Sequence, residues 1–253
     1  MSGHSKWANI KHKKGAADAK KGRIFSKFAK EIMVAVKTSG KDPDANPRLR
    51  LALAGARAAN MPRENIDRAI KKGAGELGDV TFEEVTYEGY GPAGTALIIE
   101  CLTDNRNRTL SDVRLVLDRS GGNMANSGAV SWMFQRKAHF VVEGENADEE
   151  KLMDVVLDAG AEDIEVDEDT AEIWGAPEAF EPISKALEAA GIATTEAGVT
   201  RKPDNLVGIN DLSVAQQVLR LIDKLEDLDD VQSVHSNADI ASEVLDQISE
   251  QED

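Results

Sequence analysis

The sequence predicts an α+β protein of several domains: a small helical bundle at the N-terminus, followed by two α+β domains of which one is inserted in the other. Three observations carry this reading. Charge changes sign near residue 75: residues 1–75 hold 18 Lys and Arg against 6 Asp and Glu, a net of +12, whereas residues 76–253 hold 12 against 40, a net of −28. Apolar residues recur with a helical period before the stretch GAGELGD (73–79) and alternate as in strands after it. From Ala138 onward the elements read β-α-β-β-α-β, which is the ferredoxin-like unit.

The chain has 253 residues and 4% aromatics, so two or three domains are expected at about 150 residues each, with cores built mainly from Ala, Val, Leu and Ile. Cys101 is the single cysteine and sits inside TALIIECLT, which excludes an intrachain disulfide and predicts a buried strand thiol in a reducing compartment. His4, His12, His139 and His235 lie far apart without Cys or His companions at ligand spacing, so neither a metal nor a cofactor is expected. There is no run of about 18 apolar residues and no signal-peptide pattern. A cytoplasmic protein with no membrane contact is therefore expected.

Residues 1–20 are read as a basic flexible arm: Lys6, Lys11, Lys13, Lys14 and Lys20 surround Trp7 and His12, with Lys21 next in line. That mixture suits phosphate neutralisation with an occasional ring for base stacking. The bundle, residues 21–76, opens with a helix that starts between Asp18 and Arg23 and ends near Gly40. Stepping about 100° per residue, Ile24, Phe25, Phe28, Ile32, Ala35 and Val36 share one arc, and Lys20, Arg23, Lys27, Lys30 and Lys37 lie nearly opposite. One side is core and the other is cationic. Asn46 and Pro47 start a second, Ala-rich helix. Pro62 opens a third, in which Ile66, Ala69 and Ile70 face inward and Gly73 ends the helix. Arg63, Arg68, Lys71 and Lys72 add to the cationic surface.

Beyond the linker, EVTYEGYGPAGTALIIECLT predicts two strands joined at Gly89–Gly94. The stretch DNRNRT leads into a helix with Thr109 and Asp112 at capping-box spacing; Arg106 and Arg108 either bind phosphate or only polarise the helix start. GGNMANSG lacks the Lys-Ser or Lys-Thr ending of a P-loop and is read as a turn into the strand AVSWMFQRK. Residues 138–202 form the inserted ferredoxin-like domain. One helix and one strand remain after Pro203. Returned to the earlier β-β-α-β piece, they complete a discontinuous α+β domain, residues 80–137 plus 203–239, also read as ferredoxin-like. Residues 240–253 are read as an acidic tail, a short helix with a disordered end.

The stretches GHSKWANIKHKKGAADAKKGRIFSKFAKEI, NMPRENIDRAIKKG, YEGYGPAGTALIIECLTDNRNRT and GGN…SGAVSWMF together resemble the YebC family, whose relatives include a mitochondrial translational activator of cytochrome c oxidase subunit I. The resemblance spans the chain up to Asp239. It implies a helical first domain, two α+β domains, and a non-enzymatic regulator of gene expression that binds DNA, or alternatively RNA on the ribosome. The basic residues in matching motifs are Lys6, Lys11, Lys13, Lys14, Lys20, Lys21, Arg23 and Lys27, with Arg63, Lys71 and Lys72 in the third helix. The residues themselves leave DNA and RNA open. Arg63, Asn65 and Arg68 on one short helix permit base reading, whereas a Lys-rich arm on α+β domains suits a structured RNA equally. No catalytic residue is assigned: the acidic run 162–169 is explained by solvated strand positions. A monomer is expected.

Overall fold

The computed structural model describes residues 18–79, 81–167 and 169–252, with side chains described from Lys21 to Glu250. The arm residues Lys6, Lys11, Lys13 and Lys14, and the side chain of Lys20, lie outside the described residues.

Helix α1 spans Asp18–Ser39, α2 spans Pro47–Ala58 and α3 spans Arg63–Gly73. Ile32, Ala35 and Val36 are buried against Leu49, Leu53 and Ile66, and Phe25 and Phe28 pack on that core. Met33 joins it, while Ile24 is 38% exposed at the outer end of the apolar arc. The helices approach closely because small residues lie at the crossings. A Cβ on Gly73 would stand 2.6 Å from the Met33 carbonyl oxygen, so α3 seats its last turn directly on the α1 backbone.

Asn46 fastens the α1–α2 corner. It is 1% exposed; its amide donates to the Ala35 and Gly40 carbonyls, each at 2.8 Å, and its Oδ1 accepts from the Leu49 N–H at 3.0 Å. The last carbonyls of one helix and a first N–H of the next are thus satisfied by one side chain. Asn46→Ala should destabilise the bundle by about 3 kcal/mol, the loss of a cap plus two buried acceptors left unpaired. Urea unfolding reads the effect, and a loss below about 1 kcal/mol would contradict the role assigned to Asn46.

Strands β1 (Glu83–Tyr90) and β2 (Ala96–Thr103) form a hairpin in register from Glu83↔Thr103 to Tyr90↔Ala96. β1 runs on through Tyr90, so the turn is tighter than the glycines suggested: it occupies Gly91–Thr95, with Ala93 and Gly94 both left-handed at φ 58° and 73°. Helix α4 (Arg106–Arg119) begins one turn earlier than the Thr109–Asp112 pair implied. Asn105 is its N-cap and accepts from the Arg108 N–H, which frees the buried Thr109 hydroxyl for Thr103 and Asp230.

The expected strand AVSWMFQRK does not form as such. The third strand is β3 (Asn123–Ala125), paired with β1. The buried Glu88 carboxylate then accepts from the N–H groups of Gly128, Val130 and Ser131 at 2.7, 2.7 and 3.0 Å, curling this segment away from the sheet. Burial pushes the Glu88 carboxyl up, but those donors more than offset it and hold it below the usual carboxylate range. Phe134 begins the next strand.

That strand, β4 (Phe134–Glu143), opens the compact unit Trp132–Leu206. It continues with α5 (Glu149–Val156), β5 (Ala161–Asp167), β6 (Thr170–Gly175), α6 (Phe180–Ala189) and β7 (Glu196–Pro203). The strand order β5-β6-β4-β7 is that of the ferredoxin-like unit. Ala138, Phe140 and Val142 alternate toward Leu152 of α5 and Ile183 of α6.

After β8 (Val207–Ile209), helix α7 (Leu212–Glu226) and strand β9 (Val231–Ser236) complete the discontinuous domain. Its sheet order is β3-β1-β2-β9, all neighbours antiparallel. Four strands and two main helices again make two layers, but in a different strand order from the insert. Leu97, Ile99 and Cys101 point from β2 toward Val113 and Leu117 of α4 and Val218 and Leu221 of α7. Cys101 is 3% exposed, and burial, reinforced by the nearby Asp230 charge, pushes its thiol up to about 12.

The closing stretch differs from the acidic tail expected. β10 (Ala238–Ile240) pairs in parallel with β8, and α8 (Ser242–Glu252) buries Val244, Leu245 and Ile248 in the same core. The i, i+1, i+4 spacing of those residues gives an acidic helix one apolar side.

Candidate nucleic-acid interface

The cationic face of α1 is not uniformly open. Arg23 Nη1 lies 2.5 Å from Asp227 Oδ1, Lys27 Nζ donates to the Glu226 carbonyl at 2.7 Å, and Lys30 Nζ donates to the Asp229 carbonyl at 2.8 Å and to Asp230 Oδ1 at 2.7 Å. Arg23, Lys27 and Lys30 are at i, i+4 and i+7, so they share one helix face. Their acceptors belong to the turn that follows α7. A helix C-terminus presents unpaired carbonyls and a partial negative charge, and the sequence LEDLDD adds four carboxylates there. Cations from α1 supply what the turn lacks.

Asp230 is the centre of this arrangement. At 7% exposure it accepts from Lys30, from Arg108 Nη2 at 2.6 Å, from the Thr109 hydroxyl at 2.8 Å and from the Thr103 hydroxyl at 3.2 Å. Burial alone would raise its carboxyl, yet the Arg108, Lys30 and Thr109 hydrogen bonds outweigh it and hold the group at about 2. Beside it lies a cleft of about 770 Å³ lined by Ser26, Phe82, Asp104, Arg108 and Asp112 among others. Arg106 lies 3.8 Å from Glu83, and Arg108 also reaches Asp104 at 2.7 Å, so both arginines of DNRNRT stand in ion pairs.

Arg48 on α2 is held by Glu31 at 2.6 Å and by Glu84. Burial works against its charge, and the two carboxylates more than compensate, raising its pKa. Cationic residues that face solvent include Lys21 at the start of α1, Lys37 near its end, Arg57 on α2, and Arg63, Arg68, Lys71 and Lys72 on α3. The Arg63 side chain is 94% exposed, 3.9 Å from Asp67. Lys71 and Lys72 occupy the last turn of α3, where cations favour the helix dipole as well as any external anion. Glu64 and Asp67 share this exposed arc with the arginines.

Of the residues singled out from sequence, the structure therefore leaves Lys21, Arg63, Lys71 and Lys72 at the surface and ties Arg23 and Lys27 to the turn after α7. Lys30, grouped with the cationic face but not with the candidate site, makes the most buried of these contacts. The four carboxylates crowded at a helix C-terminus were the signal in the sequence: they are unfavourable there unless cations from another element meet them.

Three polar clusters bear on catalysis. Ser233 Oγ and Glu100 Oε2 approach the same ring nitrogen of His235, at 3.0 and 3.4 Å, which is not a relay in which the carboxylate orients the opposite nitrogen. In the insert, His139 stacks on Trp174 and pairs with buried Glu172 at 3.0 Å. Glu162, Asp163 and Glu165 meet Lys137 and Lys202. Among the described residues, no three His, Cys, Asp or Glu side chains converge as metal ligands. Tyr87 of β1 and Pro92 of the following turn serve packing: the Tyr87 ring lies on the core, its hydroxyl donates to the Arg106 carbonyl, and Pro92 is buried.

With this geometry in hand, residues 5–76 match the family description TACO1/YebC protein N-terminal domain, and residues 82–238 match TACO1/YebC second and third domain. The chain belongs to the TACO1/YebC family. It is 51% identical to a "Probable transcriptional regulatory protein" of Syntrophobacter fumaroxidans over 98% of this chain and all of the relative. A protein of the same description from Dictyoglomus turgidum is 49% identical, again covering 98% of this chain and all of the relative. Among solved structures, a conserved hypothetical protein from Aquifex aeolicus superposes with a TM-score of 0.81 at 47% identity, covering 90% of this chain and 94% of that one. The helical first domain and the α+β architecture are thus those of the TACO1/YebC family. Among the described residues, no helix is long and apolar enough to cross a membrane.

Proposed function

We propose that this protein is a non-enzymatic, nucleic-acid-binding regulator of gene expression, acting on DNA as a monomeric cytoplasmic transcriptional regulator. The observation that carries the reading is charge segregation: +12 over residues 1–75 against −28 over the remainder. A polyanion is repelled by the second part and attracted to the first. Lys6, Lys11, Lys13 and Lys14 supply phosphate-neutralising charge ahead of α1, Lys20 and Lys21 carry it into the first turn of α1, and Arg63, Lys71 and Lys72 add an exposed cationic side on α3. The names of the relatives, probable transcriptional regulatory proteins, support DNA as the target. No metal or cofactor enters this scheme.

One observation favours a second reading, an RNA-binding translation factor on the ribosome. Glu64 and Asp67 stand among Arg63, Arg68 and Lys71 on α3, and such a mixed face is poorly suited to reading base edges in a groove. A basic arm that tracks phosphates and shape would serve RNA.

If about six phosphates are neutralised, log K should fall with log salt at a slope near −5 on duplex DNA and near −4 on single strands. Fluorescence anisotropy across a salt series measures this, and a flat response would remove the electrostatic basis of the reading. Replacing Lys11, Lys13 and Lys14 by Glu should weaken binding to every sequence alike. Sedimentation of a lysate at low and moderate salt separates the targets. Salt-sensitive comigration with ribosomes, lost in the arm variant, selects RNA; absence from ribosomes with sequence-dependent retention of duplex DNA selects DNA.

A further inference from the structure

We propose that the acidic turn after α7 is an internal phosphate mimic that latches the cationic face of α1, and that a nucleic-acid backbone displaces it, releasing the bundle from the discontinuous domain. This rests on the nucleic-acid reading above and adds its regulation. The end of α7 and its turn offer five anionic or carbonyl acceptors, Asp227 Oδ1, the Glu226, Asp227 and Asp229 carbonyls, and Asp230 Oδ1, to three cations on one face of α1. A phosphodiester chain offers the same chemistry, charged oxygens repeated along a line. The latched cations lie on the helix that directly follows the basic arm in sequence, so a phosphodiester chain drawn to that arm meets Arg23 as the first of them.

The contact is built to open. The bundle core and the core of the discontinuous domain share no residue, and Phe82, at the start of the second domain, is what packs onto the bundle core from outside it. What joins them at the turn is ionic. The outer pair is half-exposed, with Arg23 and Asp227 side chains at 37% and 51%, and such pairs contribute little and are screened by salt. The inner pair is drier: Lys30 and Asp230 side chains are 13% and 9% exposed. Asp230 keeps Arg108, Thr103 and Thr109 when Lys30 leaves, so opening strands no buried charge. The anion is provided for in both states, and Lys30 is free to follow a competing phosphate.

The test is a spin-label distance between Ala54→Cys on α2 and Ser213→Cys on α7, both exposed, with buried Cys101 unlabelled. The probes are a short duplex DNA and a short RNA of the same sequence at low salt, with binding followed in parallel by anisotropy. A longer, broader distance in the bound state is expected with either probe. Asp227→Asn should populate that longer distance without nucleic acid and bind about two- to fivefold tighter, the loss of one exposed pair. Asp118→Asn, which removes the same charge from an exposed position on α4, should leave the distance unchanged and tighten binding less. Binding with an unaltered distance overturns the latch, as do equal effects of the two substitutions. Failure of both probes to bind overturns the nucleic-acid reading and the latch with it.

Discussion

Asp230→Ala is expected to destabilise the protein by about 3 kcal/mol at neutral pH, because it removes one buried anion from four donors at once. Thr103 and Thr109 lose a buried acceptor, and Lys30 and Arg108 lose the charge that positions them. Asp230→Asn keeps the shape and one acceptor oxygen, so it should cost less. The pH dependence identifies the cause. The folded carboxyl sits at about 2 against an ordinary value of 3.8. A depressed carboxyl stabilises the fold above its unfolded value and loses that contribution as pH falls toward the folded one. Roughly 2 kcal/mol should therefore disappear between about pH 4 and pH 2 in the wild-type protein and be missing from the Asn variant. Urea unfolding at several pH values measures both. Parallel acid profiles for the two proteins would show that Asp230 is not held by these partners.

Ending the chain after Ala241 should be as damaging as any single change. It deletes α8 and with it Val244, Leu245 and Ile248, which are 7%, 0% and 2% exposed. At 1.5–3 kcal/mol for each buried side chain, the loss is about 5 kcal/mol or more. A calorimetric scan should show a lower melting temperature for the unit that contains α7. A truncated protein that melts with the full chain would mean that the acidic end is dispensable, as its composition alone suggested.

These two cases show where the sequence was legible. Periodicity found the first and third bundle helices, because Ile32, Ala35 and Val36, and then Ile66 and Ala69, recur at helical spacing and are the residues that became buried, and the Asn46–Pro47 start found the second. Element order found the insert, because a β-α-β-β-α-β run has few ways to pack. What escaped were effects that join distant residues. Glu88 collects three N–H groups some forty residues away and so removes an expected strand. Asp230 gathers Lys30 from about two hundred residues away, converting part of a cationic face from a surface into a contact. The acidic composition of residues 242–252 masked three apolar positions that only a helical wheel separates from their neighbours. Charge counting located the basic part of the chain but could not say which cations were already neutralised.

The pairing of Phe134 with Pro203 carries a consequence for how such a chain can change over evolution. The incoming and outgoing strands of the insert run side by side, and the host sheet β3-β1-β2-β9 borrows no strand from it. The insert is therefore a cassette with its two ends at one doorway. It can be lengthened, exchanged or lost, and the host needs only a short bridge to close the gap. Its surface can drift toward new partners while the helical bundle, and whatever that bundle grips, stays under separate selection.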